Sequence, residues 1–208
     1  MEKLKQLGII PVDYAVLRSL FSDYMSPRNK IANLQREGKL IRLKRGMFVV
    51  SPDLSKQLLS VELIANHIHG PSYVSMESAL RYYGLIPEQV HTVRSMTTSR
   101  SRKYENPLGY FEYTTVSNAY YPIGIRLQNV ENKYVFLMAT PEKALCDLIT
   151  ATPQLRIQSL KALRIYLEDD LRFEMSILKK MDGDIIRQCI DTGKKKDVLK
   201  LLLKLFQS

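Results

Sequence analysis

Apolar positions in the first fifty residues follow two helical periods and then an alternating one. Val16, Leu17, Leu20, Phe21 and Tyr24 form a single stripe, which predicts a helix over 12–24. Ser26-Pro27 opens a second helix, because Ser caps a free N–H and Pro at the first helical position lacks the N–H that would go unpaired. Gly38 supplies the left-handed residue that ends it. At about 100° per residue, Ile31 and Leu34 point inward while Asn29, Ala32, Asn33 and Arg36 share the opposite face, flanked by Arg28 and Lys30. Ile41 and Leu43 then alternate with Arg42 and Lys44, Arg45-Gly46 turns the chain, and Phe48 and Val50 return as the second strand of a hairpin.

Beyond Pro52 the period is helical again through Leu58–Ile68, closing at Gly70-Pro71. Ser75 is placed to cap a helix carrying Met76, Ala79, Leu80 and Tyr83, which stops at Gly84. Strands are predicted over 90–97, 109–116, 120–127 and 133–138, followed by a helix capped by Thr140 with Pro141 at its first position. The remainder reads as helices over 155–171, 174–181, 184–191 and 195–206. The last carries too much apolar surface to stay in water and is expected to dock on this chain by default, or else on a partner. The expected fold class is α+β: an N-terminal winged helix-turn-helix over 1–54, then a mixed α/β domain over 55–208 with an antiparallel-type sheet and a helical C-terminal third.

Charge sharpens this picture. The net charge is +10, but ten Lys and Arg face only four Asp and Glu in residues 1–50, whereas 51–153 is balanced at nine each. Between Arg28 and Arg45 seven cations face Glu37 alone. A polyanion is the partner such a cluster attracts most strongly, so double-stranded DNA is the expected ligand. Asn and Arg on an exposed helix face can read adenine and guanine edges, and hairpin cations can hold phosphates. The expected DNA-binding residues are Arg28, Asn29, Lys30, Asn33, Arg36, Arg42, Lys44 and Arg45. A second cationic run, Arg94, Arg100, Arg102 and Lys103 among Ser and Thr, is a candidate contact for phosphate or an acidic partner at a loop tip.

Chemistry-bearing motifs are sparse. His67 and His69 are two apart, so on one helix they point about 200° apart and cannot share a metal. Cys146 and Cys189 sit in apolar helical settings, expected of buried thiols in a reduced cytoplasm. Asp182 and Asp184 have a spacing used by metal carboxylates in nucleotidyl transfer, but they lie between helices, where Asp184 is expected to serve as an N-cap. No catalytic residue, metal or cofactor is expected. No apolar run approaches the length of a membrane span and Met1–Gly8 lacks the apolar core of a signal peptide, so a cytoplasmic protein without a membrane partner is expected.

Three segments carry a family likeness. The hairpin 38–49 resembles the wing of AbiEi-family antitoxins. Gly70-Pro71-Ser72-Tyr73-Val74-Ser75-Met76-Glu77-Ser78-Ala79-Leu80-Arg81-Tyr82-Tyr83-Gly84-Leu85 and Ala139-Thr140-Pro141-Glu142-Lys143-Ala144-Leu145-Cys146-Asp147 are similar to that family's later motifs. The likeness covers about residues 25–150. It implies an antitoxin of a type IV toxin–antitoxin system that counters a cognate nucleotidyltransferase toxin. It also implies repression of its own operon through inverted repeats in its promoter, bound as a monomer or dimer. On the same likeness Asn29, Asn33 and Arg36 fall on the recognition helix and Arg42, Lys44 and Arg45 on the wing. The family's three-helix start is shortened here, with only Met1–Leu7 left for a first helix. A stand-alone regulator with a ligand-sensing or oligomerisation domain is the alternative.

Overall fold

The computed structural model describes residues 1–87 and 91–207. The chain opens with α1 (Glu2–Lys5), β1 (Val12–Asp13), α2 (Tyr14–Leu20) and α3 (Pro27–Arg36), and continues into β2 (Leu40–Lys44) and β3 (Met47–Val50). β3 is the middle strand of a three-stranded antiparallel sheet ordered β1-β3-β2. The helix expected over 12–24 is shorter at both ends. Val12 and Asp13 pair instead with Phe48 and Met47, since extended backbone there completes the ladder of the central strand. Ser26 caps α3 through the N–H of Asn29 at 3.4 Å, with Pro27 following it. Gly46 turns the hairpin at φ +79°, a conformation that disfavours any residue with a Cβ.

Leu4, Leu17, Phe21, Ile31, Leu34, Leu40, Phe48 and Val50 form a small core between these helices and the sheet. The alternation on β2 and β3 has a second destination. Ile9, Leu43 and Val49 belong to the large core of the rest of the chain, and Ile41 packs against it. Phe48 and Val50 face one core and Val49 the other, as a two-residue period requires of a strand covered on both sides. The hairpin is therefore wedged between two apolar layers.

The second part begins with α4 (Pro52–Ser55) and α5 (Val61–Ile68). It continues with β4 (Ser72–Val74), α6 (Met76–Tyr82), β5 (Thr92–Thr97), β6 (Arg102–Asn106), β7 (Gly109–Thr115), β8 (Ile125–Val130), β9 (Tyr134–Ala139) and α7 (Pro141–Ala151). The six strands form one sheet ordered β6-β7-β5-β4-β9-β8. It is mixed rather than antiparallel-type: β5 runs parallel to β7, and β4 meets β9 in parallel at Val74–Met138. The β6–β7 hairpin folds back so that β7, not β6, lies beside β5. The cationic run expected at a loop tip continues into β6, an edge strand that exposes Arg102 and Lys103 and tucks Tyr104 against the core. The strand expected over 120–127 starts five residues later, and the buried Tyr120 lies in the preceding turn. The beginning of the strand expected over 90–97 lies outside the described residues.

The C-terminal third is α8 (Leu160–Ile165), a π-helical turn (Tyr166–Asp170), a 3₁₀ turn (Met175–Lys180), α9 (Gly183–Thr192) and α10 (Lys196–Gln207). α10 docks on this chain through Val198, Leu199, Leu202 and Leu205. No helix of the described residues is long and apolar enough to cross a membrane. Cys146 and Cys189 are free and buried.

α7 is buried along its whole middle, from Glu142 to Ile149. Leu145, Leu148 and Ile149 give it an apolar side, and it also carries a fully buried ion pair. Lys143 Nζ lies 3.3 Å from Asp147 Oδ1, donates to the Tyr120 carbonyl at 2.9 Å and sits 3.1 Å from the centroid of the Tyr120 ring. Ser75, expected to cap α6, donates instead to Asp147 Oδ2 at 2.6 Å. Desolvation pushes the Asp147 carboxyl above its ordinary range, opposed by the Lys143 ammonium. Glu142 accepts from the N–H of Asp182 at 3.0 Å, tying α7 to the start of α9. Asp147→Ala should destabilise the chain by about 3–5 kcal/mol, since it leaves a buried ammonium without its counter-charge. Lys143→Met with Asp147→Leu should recover most of that loss. Urea unfolding of the three chains checks this; a double variant as weak as the single one would contradict the ion-pair account.

Candidate nucleic-acid interface

α3 buries Ile31 and Leu34 in the small core, and this fixes what its other face presents. Arg28, Asn29, Ala32, Asn33 and Arg36 are exposed on it, as the helical period predicts. Lys30 is half-buried, its ammonium 5.1 Å from the centroid of the Tyr24 ring. The guanidinium of Arg36 donates from Nη2 to Asn33 Oδ1 one turn back. Gln35 is also exposed, although the helical period sets it only about 40° from Ile31. Glu37, the single acid of this stretch, is held by Lys39 at 2.6 Å, and that hydrogen bond keeps its carboxyl below the ordinary range.

The hairpin cations divide. Arg42 and Arg45 are exposed, with Arg42 Nε donating to the Lys44 carbonyl at 3.4 Å. Lys44 turns the other way: its Nζ donates to the carbonyl of Ile68 at 2.6 Å. That carbonyl lies at the C-terminal end of α5, where unpaired acceptors and the helix dipole favour a cation. Nearby, Asn106 Nδ2 donates to the Leu43 carbonyl at 3.2 Å, so the β6–β7 turn also grips the hairpin. The alternation that marked Lys44 as solvent-facing could not show that the opposing surface belongs to α5.

The second cationic run is also split. Arg94 pairs with Glu77 at 3.0 Å and with Glu112 at 3.7 Å, and Lys103 pairs with Glu112 at 2.6 Å, a network lying across one face of the sheet. Arg100 and Arg102 are exposed at the β5–β6 turn and the start of β6, with the Arg100 backbone held by His69 Nε2 at 2.9 Å. Asp182, rather than Asp184, caps α9, accepting from the N–H of Asp184 at 2.8 Å, while Asp184 pairs with Arg187. A separate cleft of about 560 Å³ lies where the ends of β7, α7 and α9 converge, lined by Thr115, Ser117, Tyr120, Thr150, Gly193 and Lys194 among others.

Neither a scan against protein-family models nor a search of curated proteins finds a match. Among solved structures, the fold is similar to the RV2827C protein from Mycobacterium tuberculosis, with a TM-score of 0.53 at 15% identity. The match covers 98% of this chain and 79% of that one. At that identity the likeness concerns the fold alone.

The two hairpin cations should respond differently to removal of charge. Lys44→Met keeps the stem and loses the bond to Ile68, and should lower stability by about 1.5–3 kcal/mol, the range for hydrogen bonds from charged groups. Arg45→Met should change it by less than about 0.5 kcal/mol. Thermal or urea unfolding reads both, and equal small effects would mean that Lys44 does not clamp the hairpin.

Proposed function

We propose that this chain is an antitoxin that represses its own operon, with residues 1–54 acting as a winged helix on duplex DNA. The observation that carries the DNA part is the α3 face. An amino-terminally capped helix holds Arg28, Asn29, Asn33 and Arg36 clear of the core, and a hairpin with exposed Arg42 and Arg45 follows directly. The order helix, strand, helix, helix and hairpin, with β3 central in its sheet, supports a recognition helix flanked by a wing. In this reading α3 enters the major groove, Asn and Arg meet base edges, and Arg42 and Arg45 hold phosphates on either side. Lys44 is left out of the contact and orients the wing.

The antitoxin part rests on the resemblance of the 70–85 and 139–147 segments to the AbiEi family. Those segments fold into β4 with α6 and into the end of β9 with α7, and the Ser75–Asp147 hydrogen bond joins them. The partner in this reading is a nucleotidyltransferase toxin countered by residues beyond 54, and the DNA-binding face serves the operon. A second reading, a regulator whose later domain senses a ligand, is favoured by the 560 Å³ cleft at Tyr120 and Lys194.

Two measurements test the proposal. Fluorescence anisotropy with a labelled duplex should show affinity falling steeply with salt. Arg42→Ala and Arg45→Ala should each flatten the slope of log K against log salt by about 0.9, and Lys44→Ala by clearly less. A duplex that fails to bind at low salt would sink the DNA reading. Growth rescue tests the other half: the full chain is co-expressed with the gene beside its own. A variant with Arg28, Arg36, Arg42 and Arg45 all changed to Ala should rescue growth as well as the parent chain does. It serves better than a fragment beginning at 55, which would lose Ile9, Leu43 and Val49 from the large core. An adjacent gene that is not toxic, or toxicity that neither chain relieves, would favour the regulator.

A further inference from the structure

The hydrogen bond between Arg36 and Asn33 changes what α3 offers to a base pair. An Asn side chain reads adenine by accepting from N6 through its carbonyl oxygen while donating to N7 through its amide nitrogen. Asn29 keeps both groups available, since its side chain is exposed and makes no hydrogen bond among the described residues. Asn33 keeps less, because its Oδ1 already accepts from the guanidinium of Arg36 and one lone pair is left. An adenine amino group would have to share that oxygen with the guanidinium, so the acceptor side of Asn33 is partly engaged before DNA arrives. The outward groups at this turn are therefore mainly N–H donors: Nδ2 of Asn33 and the free N–H groups of Arg36. Guanine, with N7 and O6 both acceptors, is the purine edge that matches a donor-rich surface.

We infer that Asn33 is a positioning residue for Arg36, and that the pair selects guanine rather than adenine at one base pair of the operator. This rests on the proposed docking of α3 in the major groove. Both side chains are exposed, and they lie three residues apart on a helix whose inner face is fixed by Ile31 and Leu34. Spacing i, i+3 puts such neighbours within reach. Fixing the guanidinium before DNA arrives lowers the ordering cost of a two-bond contact. Asn29 lies four residues earlier, roughly 6 Å along the axis, and so faces a base pair about two steps away, where an adenine fits.

The experiment is selection of bound duplexes from a pool with a randomised centre, using the full chain and three variants, followed by sequencing. The parent chain should recover a motif with guanine at one defined position. Arg36→Ala should erase that preference by tenfold or more. Asn33→Ala should weaken the same guanine and leave every adenine preference intact, whereas Asn33→Asp, which keeps the acceptor, should retain it. If Asn33→Ala instead removed an adenine preference that Arg36→Ala leaves untouched, Asn33 would be reading its own base and the inference would fall. Salt-dependent binding without any recovered motif would also overturn it, while leaving DNA binding in place. A parent chain that binds no duplex would overturn the docking itself.

Discussion

The buried pair of Lys143 and Asp147 is the constraint from which most of this architecture follows. Two full charges at zero exposure are tolerable only if each is matched, and the matching partners come from across the chain. The Tyr120 carbonyl and ring come from the turn before β8, and Ser75 comes from the start of α6. A hydroxyl that would otherwise cap its own helix is drawn to the carboxylate, because an unsatisfied buried anion costs more than an uncapped helix start. With Glu142 receiving the Asp182 N–H, one helix fixes the sheet, α6 and α9 relative to each other.

The same large core extends into the amino-terminal part. Leu43 and Val49 are buried in it, and Lys44 and Asn106 add polar clamps at the hairpin. The surface carrying Arg28, Asn29, Asn33 and Arg36 is thus held at a set angle to the six-stranded sheet rather than hung from a linker. In the proposed function this gives the second part a physical route to the DNA: anything that strains α5 or the β6–β7 turn bears directly on the wing.

Charge in this chain is mostly organised rather than diffuse. Arg94 and Lys103 belong to an ion network on the sheet, Lys39 neutralises Glu37, and Lys30 lies over an aromatic ring. Among the described residues of the amino-terminal part, Arg18, Arg28 and Arg45 at the hairpin turn have no such partner, while Arg36 is steered by Asn33. The number of basic residues overstates the cationic surface left for an anion; their individual partners define it.

The amino-acid sequence by itself determined α3 with its cap and stop, its polar outer face, the hairpin after it, the helix beginning at Pro141 and the apolar stripe of α10. Each is a local matter of dihedral preference, capping and period, readable within a dozen residues. Tertiary structure alone decided the rest. Period two says that a strand has two faces but not which layer covers each, so the burial of Leu43 and Val49 against a distant core was invisible. The pairing of β4 with β9 spans more than sixty residues, and the order that makes the sheet mixed is set by pairings between strands far apart in the chain. Lys44, Ser75 and Lys143 show the same limit at the level of single groups. A polar side chain hydrogen-bonds to whatever the fold brings beside it, and that neighbour lies far away in the chain.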